Sequence, residues 1–277
     1  GGRRVYRQLG YEPICIPRVK AALAAGYANP IEAEDAGALL PAMCGQCPAE
    51  RFDTATEFDV FFGGAAGGSK TTSMIFLAIR LCARWAGFRV LFLRETFDEL
   101  DENVFPELRK IDYADAIGGH WNAGRKQLDF PNGSTIRFRY LGDITDISLR
   151  RGGSYNMLCF DERNQLPPGA ADGLRDRLRS AGEAPVVGVR STGNPGGRSH
   201  SELKRDYVTA TDHGSKVAEV VIPDTGARFE RRFIPAKATD NPYLGDHYFF
   251  VVLGGIADPN LRKAMQDGNW DIFAGMY

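Results

Sequence analysis

The feature that most constrains the fold is a glycine-rich loop that ends in a lysine. It runs Gly63-Gly64-Ala65-Ala66-Gly67-Gly68-Ser69-Lys70-Thr71-Thr72. The apolar run 58–62 before it has the pattern of a buried strand, and apolar residues recur on one face of the segment 70–85 after it, as in an amphipathic helix. A strand, a glycine-rich turn ending in Lys-Thr and a helix form the context of a phosphate-binding P-loop.

Each part of this loop has a predicted role towards ATP. Small residues let backbone N–H groups turn towards phosphates, and the following helix adds its N-terminal dipole. Lys70 is expected to neutralise the β- and γ-phosphates, and the Thr71 hydroxyl is expected to bind Mg²⁺. The predicted nucleotide-binding residues of the loop are Gly64, Ala65, Ala66, Gly67, Gly68, Ser69, Lys70, Thr71 and Thr72.

The loop departs from the common P-loop pattern at one position. The residue before the lysine is usually glycine, and here it is Ser69, with the glycine one place earlier at Gly68. If Ser69 takes a positive φ, the backbone strain costs on the order of 1 kcal/mol.

Two adjacent acids supply the second half of the predicted site. Asp161 and Glu162 directly follow the apolar run 155–160, which is predicted to be a buried strand. In open α/β sheets, ligands bind at the carboxyl ends of the strands. Asp161 is expected to hold Mg²⁺, and Glu162 is expected to orient and deprotonate the water that attacks the γ-phosphate.

The order of predicted elements indicates an α/β fold. Helical patterns cover 70–85, 97–110 and 170–180, and a helical tail over 247–264 is interrupted at Gly254-Gly255. An Asn-Gly turn predicts a hairpin between 127–130 and 135–140. Strands that alternate with helices imply a mainly parallel central sheet flanked by helices, and further strands are predicted at 58–62, 89–93, 155–160 and 185–192. Residues 1–50 are predicted to be an irregular or short-helical lead-in, and residues 51–277 a P-loop ATPase domain.

Composition excludes several classes of protein. The 277 residues are 43% hydrophobic and 25% charged, as in a soluble globular protein, and the net charge of −1 gives no global attraction to nucleic acid. No run reaches the roughly 18–20 apolar residues that span a bilayer. Five cysteines suggest no disulfide framework, and Cys44-Gly-Gln-Cys47 lacks the two further ligands at matched spacing that a zinc site needs. The pattern favours free cysteines in a reduced, cytoplasmic protein over a zinc site.

Further segments, in the same order, resemble the large terminase family of tailed bacteriophages. One lies after the second predicted strand, one is the hairpin, and one is an Arg-Gly pair ahead of Asp161. Others resemble the family's coupling motif and the end of its ATPase region. The segments are Leu93-Arg94-Glu95-Thr96, Leu128-Asp129-Phe130-Pro131-Asn132-Gly133-Ser134, Arg151-Gly152, Ser191-Thr192-Gly193-Asn194-Pro195, Asp240-Asn241-Pro242-Tyr243-Leu244 and Asp267-Gly268-Asn269-Trp270-Asp271.

The resemblance implies an ASCE-type P-loop NTPase that uses ATP and Mg²⁺ to translocate double-stranded DNA into a procapsid. It further implies a pentameric ring at the portal protein, a small terminase subunit that selects the DNA, and a location in the host cell cytoplasm without membrane attachment. The family carries a nuclease domain after its ATPase, and because the sequence stops at Tyr277, DNA cutting is expected to be absent from this chain.

The resemblance also implies roles for further residues. Thr192 and Asn194 are expected to sense the γ-phosphate, and Arg94 is a candidate for a γ-phosphate contact within the subunit. Arg151 is expected to be an arginine finger that acts on the ATP of the neighbouring subunit, with Arg150 as the alternative, because a planar cation with five donors suits the developing charge.

Two other functions stay open at this point. One is a helicase-type P-loop ATPase that remodels nucleic acid, and the other is a nucleotide-binding switch without a motor. Glu162 argues against the switch, since a switch needs no strong base. The Arg-Gly and Asp-Gly-Asn-Trp segments favour the terminase over the helicase.

Overall fold

The computed structural model describes residues 14–110, 118–143, 145–146, 153–180 and 182–272. Three short helices come first, and in each a proline lies in the first helical turn, where its missing N–H costs nothing. They are α1 (Ile16–Ala24), α2 (Pro30–Asp35) and α3 (Pro48–Thr54). Strand β1 (Asp59–Gly64) follows, and the phosphate loop then leads into helix α4 (Lys70–Arg84).

The remaining elements alternate between strands and short helices. The helical segment after β2 changes from α to π geometry at Leu100–Val104 and returns to α geometry at Phe105, next to Pro106. In chain order the elements are β2 (Arg89–Arg94), α5 (Phe97–Glu99), α6 (Phe105–Lys110), β3 (His120–Asn122), β4 (Gln127–Asp129), β5 (Thr135–Tyr140), β6 (Met157–Phe160), α7 (Ala170–Leu174), β7 (Gly188–Gly193), α8 (His200–Leu203), β8 (Ala218–Val221), β9 (Arg228–Ala236) and α9 (Pro259–Asp267).

The described strands form one nine-stranded sheet in the order β3-β4-β5-β2-β6-β7-β1-β9-β8. The central strands from β5 to β9 pair in parallel, and the hairpins β3–β4–β5 and β8–β9 add antiparallel edges. Strand β7 lies between β1, which leads to the phosphate loop, and β6, which leads to the two acids. The extra strand between these two gives the predicted ASCE arrangement, and the α/β fold class is confirmed.

The core explains why the central strands read as continuous apolar runs. All six residues of β1 are buried, and so are the four residues of β6, because both faces of the sheet are covered. On one face, Phe62 and Phe92 pack with residues of α4 such as Ile75 and Ile79. On the other face, Phe61 packs with Tyr207, Phe233 and Trp270. Packing on both faces fixes the central strands, and their ends place the phosphate loop and the acids at one edge of the sheet.

The structure differs from the sequence-based elements in three places. The helix predicted over 170–180 stops at Leu174 and continues as a 3₁₀ turn, Arg175–Arg177. The predicted tail helix is a π-helical turn, Tyr248–Leu253, followed after Gly254-Gly255 by α9. Strands β3, β8 and β9 carry no sequence prediction, because β3 and β8 are short and the charged residues of β9 obscure its apolar alternation. Within the described residues, no helix is both long enough and apolar enough to cross a bilayer.

Candidate nucleotide site

The phosphate loop connects the buried end of β1 to the first turn of α4. Ser69 has φ 53° and ψ 24°, so the left-handed conformation considered for this position is present. A positive φ at a non-glycine residue costs on the order of 1 kcal/mol. At Gly64, with φ 142°, a Cβ atom would lie 2.2 Å from the carbonyl oxygen of Ala236, so only glycine fits there. Strand β9 therefore forces the glycine at the start of the loop.

Lys70 lies inside the loop that it closes. Its side chain is buried, and Nζ donates to the Ala65 carbonyl oxygen over 2.5 Å. Burial lowers the pKa of Lys70, while the negative charges of Glu162 and Asp161 act in the opposite direction. An ammonium group held among small residues near two acids is well placed to meet phosphate charge.

The backbone amides of the loop divide into two groups. The amides of Ala65 and Ala66 donate to the carbonyl oxygens of Ala236 and Met265, over 2.8 and 2.9 Å. The amides in the first turn of α4, which begins at Lys70, have no partner within the helix. The helix start therefore offers its N–H groups to an anion, whereas Ala65 and Ala66 contribute the shape of the loop.

Asp161 is the centre of the hydroxyl and guanidinium contacts at this edge. Its carboxylate is fully buried at the end of β6. Oδ1 accepts from Thr71 Oγ1 over 2.8 Å and from Thr192 Oγ1 over 2.6 Å, and Oδ2 accepts from Arg94 over 3.0 Å. Mg²⁺ prefers hard oxygen ligands, and the Thr71 hydroxyl with the Asp161 carboxylate is a donor set of that kind.

Glu162 is held in an unusual backbone conformation next to Asp161. Its φ is +48°, and its N–H donates to Thr192 Oγ1 over 3.2 Å. Asn194 Nδ2 donates to both carboxylate oxygens of Glu162, over 3.1 and 2.9 Å. Burial raises the pKa of Glu162, opposed by Lys70 and supported by Asp161. A carboxylate with a raised pKa is suited to accept a proton near neutral pH.

Thr192 and Asn194 reach the acids because of strand register. They lie at the end of β7, which pairs in parallel with both β1 and β6, so three strand ends meet there. Asn194 Oδ1 is buried and has no hydrogen-bond partner among the described residues. Together with Glu162, this amide oxygen could accept hydrogen bonds from a water molecule.

Arg94 lies on the opposite side of Asp161, at the end of β2. In addition to its contact with Asp161, its Nε lies 3.6 Å from Glu99 Oε2. That Nε is buried and makes no hydrogen bond to the described residues. Arg150 and Arg151 lie outside the described residues.

Residues of the C-terminal region cover the phosphate loop, an arrangement that the sequence alone does not predict. Asn241 Nδ2 donates to the Gly67 carbonyl oxygen over 2.8 Å. A Cβ atom on Gly67 would lie 2.7 Å from Leu244 Cδ1 and 2.9 Å from the Tyr248 hydroxyl oxygen. In the sequence, the segment Asp240–Leu244 shows only a family resemblance, and its turn residues give no signal for this contact.

Solved structures with a similar fold include phage large terminases. The large terminase of a thermophilic bacteriophage matches with 15% identity and a TM-score of 0.55, over 79% of this chain and 49% of that one. The ADP complex of the same terminase matches with 15% identity and a TM-score of 0.56, over 77% and 48%. The large terminase ATPase domain of Thermus phage P74-26 matches with 13% identity and a TM-score of 0.54, over 96% of both chains.

These likenesses establish the fold. The chain has the fold of large-terminase ATPase domains and spans about half the length of the thermophilic-phage large terminase. No protein-family model matches the sequence, and no curated protein matches it significantly.

Proposed function

We propose that this chain is the ATP-hydrolysing motor domain, residues 51–277, of a viral large terminase that translocates double-stranded DNA into a procapsid. The observation that carries the ATPase assignment is the convergence of Lys70, Thr71, Asp161 and Glu162 at one sheet edge. The fold shared with large-terminase ATPase domains, and with a large terminase in complex with ADP, supports the terminase assignment.

In the proposed reaction, the phosphate loop holds the β- and γ-phosphates of ATP. Lys70 and the first-turn amides of α4 would neutralise their charge. Thr71 and Asp161 would hold Mg²⁺, which would supply positive charge to offset the negative charge of the phosphate oxygens. Arg94, paired with Asp161 over 3.0 Å, would turn its remaining donors towards the γ-phosphate.

Glu162 acts as the general base in this proposal. Its carboxylate would take a proton from the attacking water, while the Asn194 amide oxygen helps to orient that water. Asn194, directly after β7, donates to both carboxylate oxygens of Glu162. Any shift of β7 on loss of the γ-phosphate would therefore also move the Glu162 carboxylate. Thr192 contacts both acids and would move with Asn194, which couples hydrolysis to the rest of the domain.

The proposal includes a ring. Arg151, or Arg150 in its place, would donate to the γ-phosphate in the neighbouring subunit, an effect worth roughly 10³–10⁵ in rate. Subunits carrying Arg151→Ala have intact sites, and mixing them with Glu162→Gln subunits should restore ATP turnover. No gain on mixing would contradict an arginine acting between subunits. A pentamer at the portal, a small terminase partner and a host-cytoplasmic location belong to the same proposal, and DNA cutting is left to a nuclease domain.

The alternative function is a helicase-type ATPase that remodels nucleic acid. Steady-state ATP turnover with added nucleic acid separates the two. A packaging motor should be stimulated by duplex DNA or by a portal ring, and by single strands little or not at all. Stimulation by single strands alone would reject the terminase proposal in favour of the helicase.

A further inference from the structure

A cluster of three cysteines and one glutamate lies ahead of the phosphate loop in the sequence. One ligand atom each from Cys15, Cys44, Cys47 and Glu50 lies within 4.8 Å of all the others. The Cys44 and Cys47 Sγ atoms are 3.3 Å apart, and Cys44 Sγ lies 3.1 Å from Glu50 Oε2. Cys15, Cys47 and Glu50 are buried, and Cys44 is exposed.

This convergence changes the sequence-based view of the cysteines. The CxxC pair lacked two further ligands at matched spacing, and zinc was therefore disfavoured. The fold supplies both. Cys15 is the N-cap residue of α1, and Cys47 is the N-cap residue of α3. Glu50 lies in the first turn of α3.

We propose that Cys15, Cys44, Cys47 and Glu50 bind one structural Zn²⁺ ion. Three thiolates and one carboxylate are a four-ligand set that zinc accepts in tetrahedral geometry. With Zn–S bonds of about 2.3 Å, tetrahedral sulfur ligands lie about 3.8 Å apart. The Cys44–Cys47 separation of 3.3 Å is slightly shorter than that value, and all four ligand atoms lie within 4.8 Å of one another, so one ion can reach all of them.

The backbone around the cluster also suits thiolate ligands. The N–H of Ile16 donates to Cys47 Sγ over 3.2 Å, and the N–H of Gln46 points to Cys44 Sγ over 3.4 Å. The N–H of Gly45 lies 3.3 Å from Glu50 Oε1, the carboxylate oxygen turned away from Cys44. Such outer hydrogen bonds orient metal ligands and support their negative charge.

The donor types indicate which metal binds and what it does. Soft thiolates select zinc, copper(I) or iron–sulfur clusters over Mg²⁺ or Ca²⁺. All four positions of a tetrahedral ion are filled by protein groups, so no position is open for a substrate. The ion is therefore structural.

The position of the cluster indicates how a metal would stabilise this region. Residues 14–47 bury few apolar side chains, namely Ile14, Cys15, Val19, Ala22, Ala33 and Cys47 among the described residues. An ion pair between Arg18 and Glu34 at 2.7 Å links α1 to α2. Ile14 and Val19 join the main core, but a segment with this little apolar burial is one that a metal can stabilise substantially. Zinc would fasten it to α3, which the Asp53–Arg80 ion pair at 3.0 Å joins to α4.

The test measures metal in the full chain, purified under reducing conditions without added metal. Elemental analysis should find about one zinc per chain. Replacement by Co²⁺ should give the visible absorption of tetrahedral cobalt together with thiolate-to-cobalt charge transfer. Removal of zinc with a chelator should lower Tm by roughly 5 °C or more.

Variants separate the cluster from other cysteines. Cys44→Ser, at an exposed position that should tolerate it, should reduce bound zinc at least tenfold, and Glu50→Gln should alter the cobalt spectrum. Cys82→Ala, which removes a buried thiol outside the cluster, should retain one zinc per chain.

Two results would overturn the zinc site. One is a reduced, folded chain that holds no zinc and takes up none on titration with Zn²⁺, including a chain in which a Cys44–Cys47 disulfide persists under the reducing conditions. The other is stoichiometric iron with sulfide in place of zinc.

Discussion

Two buried carboxylate clusters lie on the same sheet, and their charges are paired differently. Asp59, at the start of β1, faces Arg175 and Arg231, each 3.3 Å from Oδ2, and accepts from the Tyr207 hydroxyl over 2.6 Å. Asp161 and Glu162, at the end of β6, share Lys70 and Arg94. Arg163, Arg175 and Arg231 surround the one fully buried acid of the first cluster, and Asp172 and Asp206 pair with Arg175 and Arg231 from more exposed positions. In the second cluster, Lys70 and Arg94 face three acids, Asp161, Glu162 and Glu99.

The pKa directions follow from this pairing. Burial alone would raise the pKa of Asp59, but Arg163, Arg231, Arg175 and the Tyr207 hydroxyl outweigh burial and lower it. At Glu162, burial dominates and the pKa is raised despite Lys70. A carboxylate that is locked in its charged form stabilises the fold, and one with a raised pKa can exchange a proton. Burial alone therefore does not identify a catalytic acid, whereas the surrounding charges do.

The largest expected effect lies at the phosphate edge. Glu162→Gln keeps the shape of the side chain and removes the base, so kcat for ATP should fall roughly 10²–10⁴-fold. The affinity for ATP, measured by calorimetry, should change little. Glu219→Gln, on the exposed β8 edge, is the matched control and should leave kcat unchanged. An equal loss of affinity and turnover in Glu162→Gln would show that Glu162 binds ATP and does not act as the base. It would then not differ from Asp59 in exchanging a proton.

Removing the charge of Asp59, in the first cluster, should lower the free energy of unfolding and leave ATP turnover little changed. Asp59→Asn removes the buried counter-charge of Arg175 and Arg231 and leaves them only the more exposed Asp172 and Asp206, which costs about 3–5 kcal/mol of unfolding free energy. ATP turnover per folded molecule should stay near the wild-type value. Asp172→Asn is the control, since Asp172 also pairs with Arg175 but its side chain is 76% exposed, and its effect should be small.

The Asp59 cluster also predicts a pH dependence of stability. Because the folded-state pKa of Asp59 is lowered, its contribution is present above the unfolded pKa of about 3.9 and is lost as pH falls through the folded pKa. Chemical unfolding between neutral and acidic pH should therefore show a weaker acid destabilisation in Asp59→Asn than in the wild type. Identical pH slopes would show that Asp59 is not stabilised in its charged form.

The smallest effect concerns the amide that holds Glu162. Asn194→Ala removes two hydrogen bonds to the ionised carboxylate, so the pKa of Glu162 should rise further. The acid limb of the kcat–pH profile should then move to higher pH, with a loss of turnover smaller than in Glu162→Gln. An unmoved acid limb would indicate that Asn194 does not contact the base during turnover.

The sequence predicts a cluster only where its residues lie close together along the chain. The phosphate loop and the Asp161-Glu162 pair are each continuous, and each follows an apolar strand, so their placement at one edge was predictable. The Asn241 contact joins Gly67 to a segment more than 170 residues away in the sequence. The Asp59 network joins β1 to β9 and to the π-helical turn Lys204–Thr209. Periodicity carries no information about such contacts.

The cysteine cluster shows the same limit more sharply. Two of its ligands form a visible CxxC, but Cys15 and Glu50 become ligands only because α1 and α3 place their first turns together. Neither residue is distinguishable in the sequence from an ordinary helix start.

In the proposed function, Lys70 and its loop hold the phosphates of the ATP that is hydrolysed. Steady-state phosphate release by Lys70→Ala tests it most directly, with Lys216→Ala as an exposed control and circular dichroism to verify folding. We predict a loss of turnover on the order of 10³-fold or more, because backbone donors alone cannot replace the buried ammonium charge. Wild-type turnover in a folded Lys70→Ala chain would contradict the assignment of the phosphate loop.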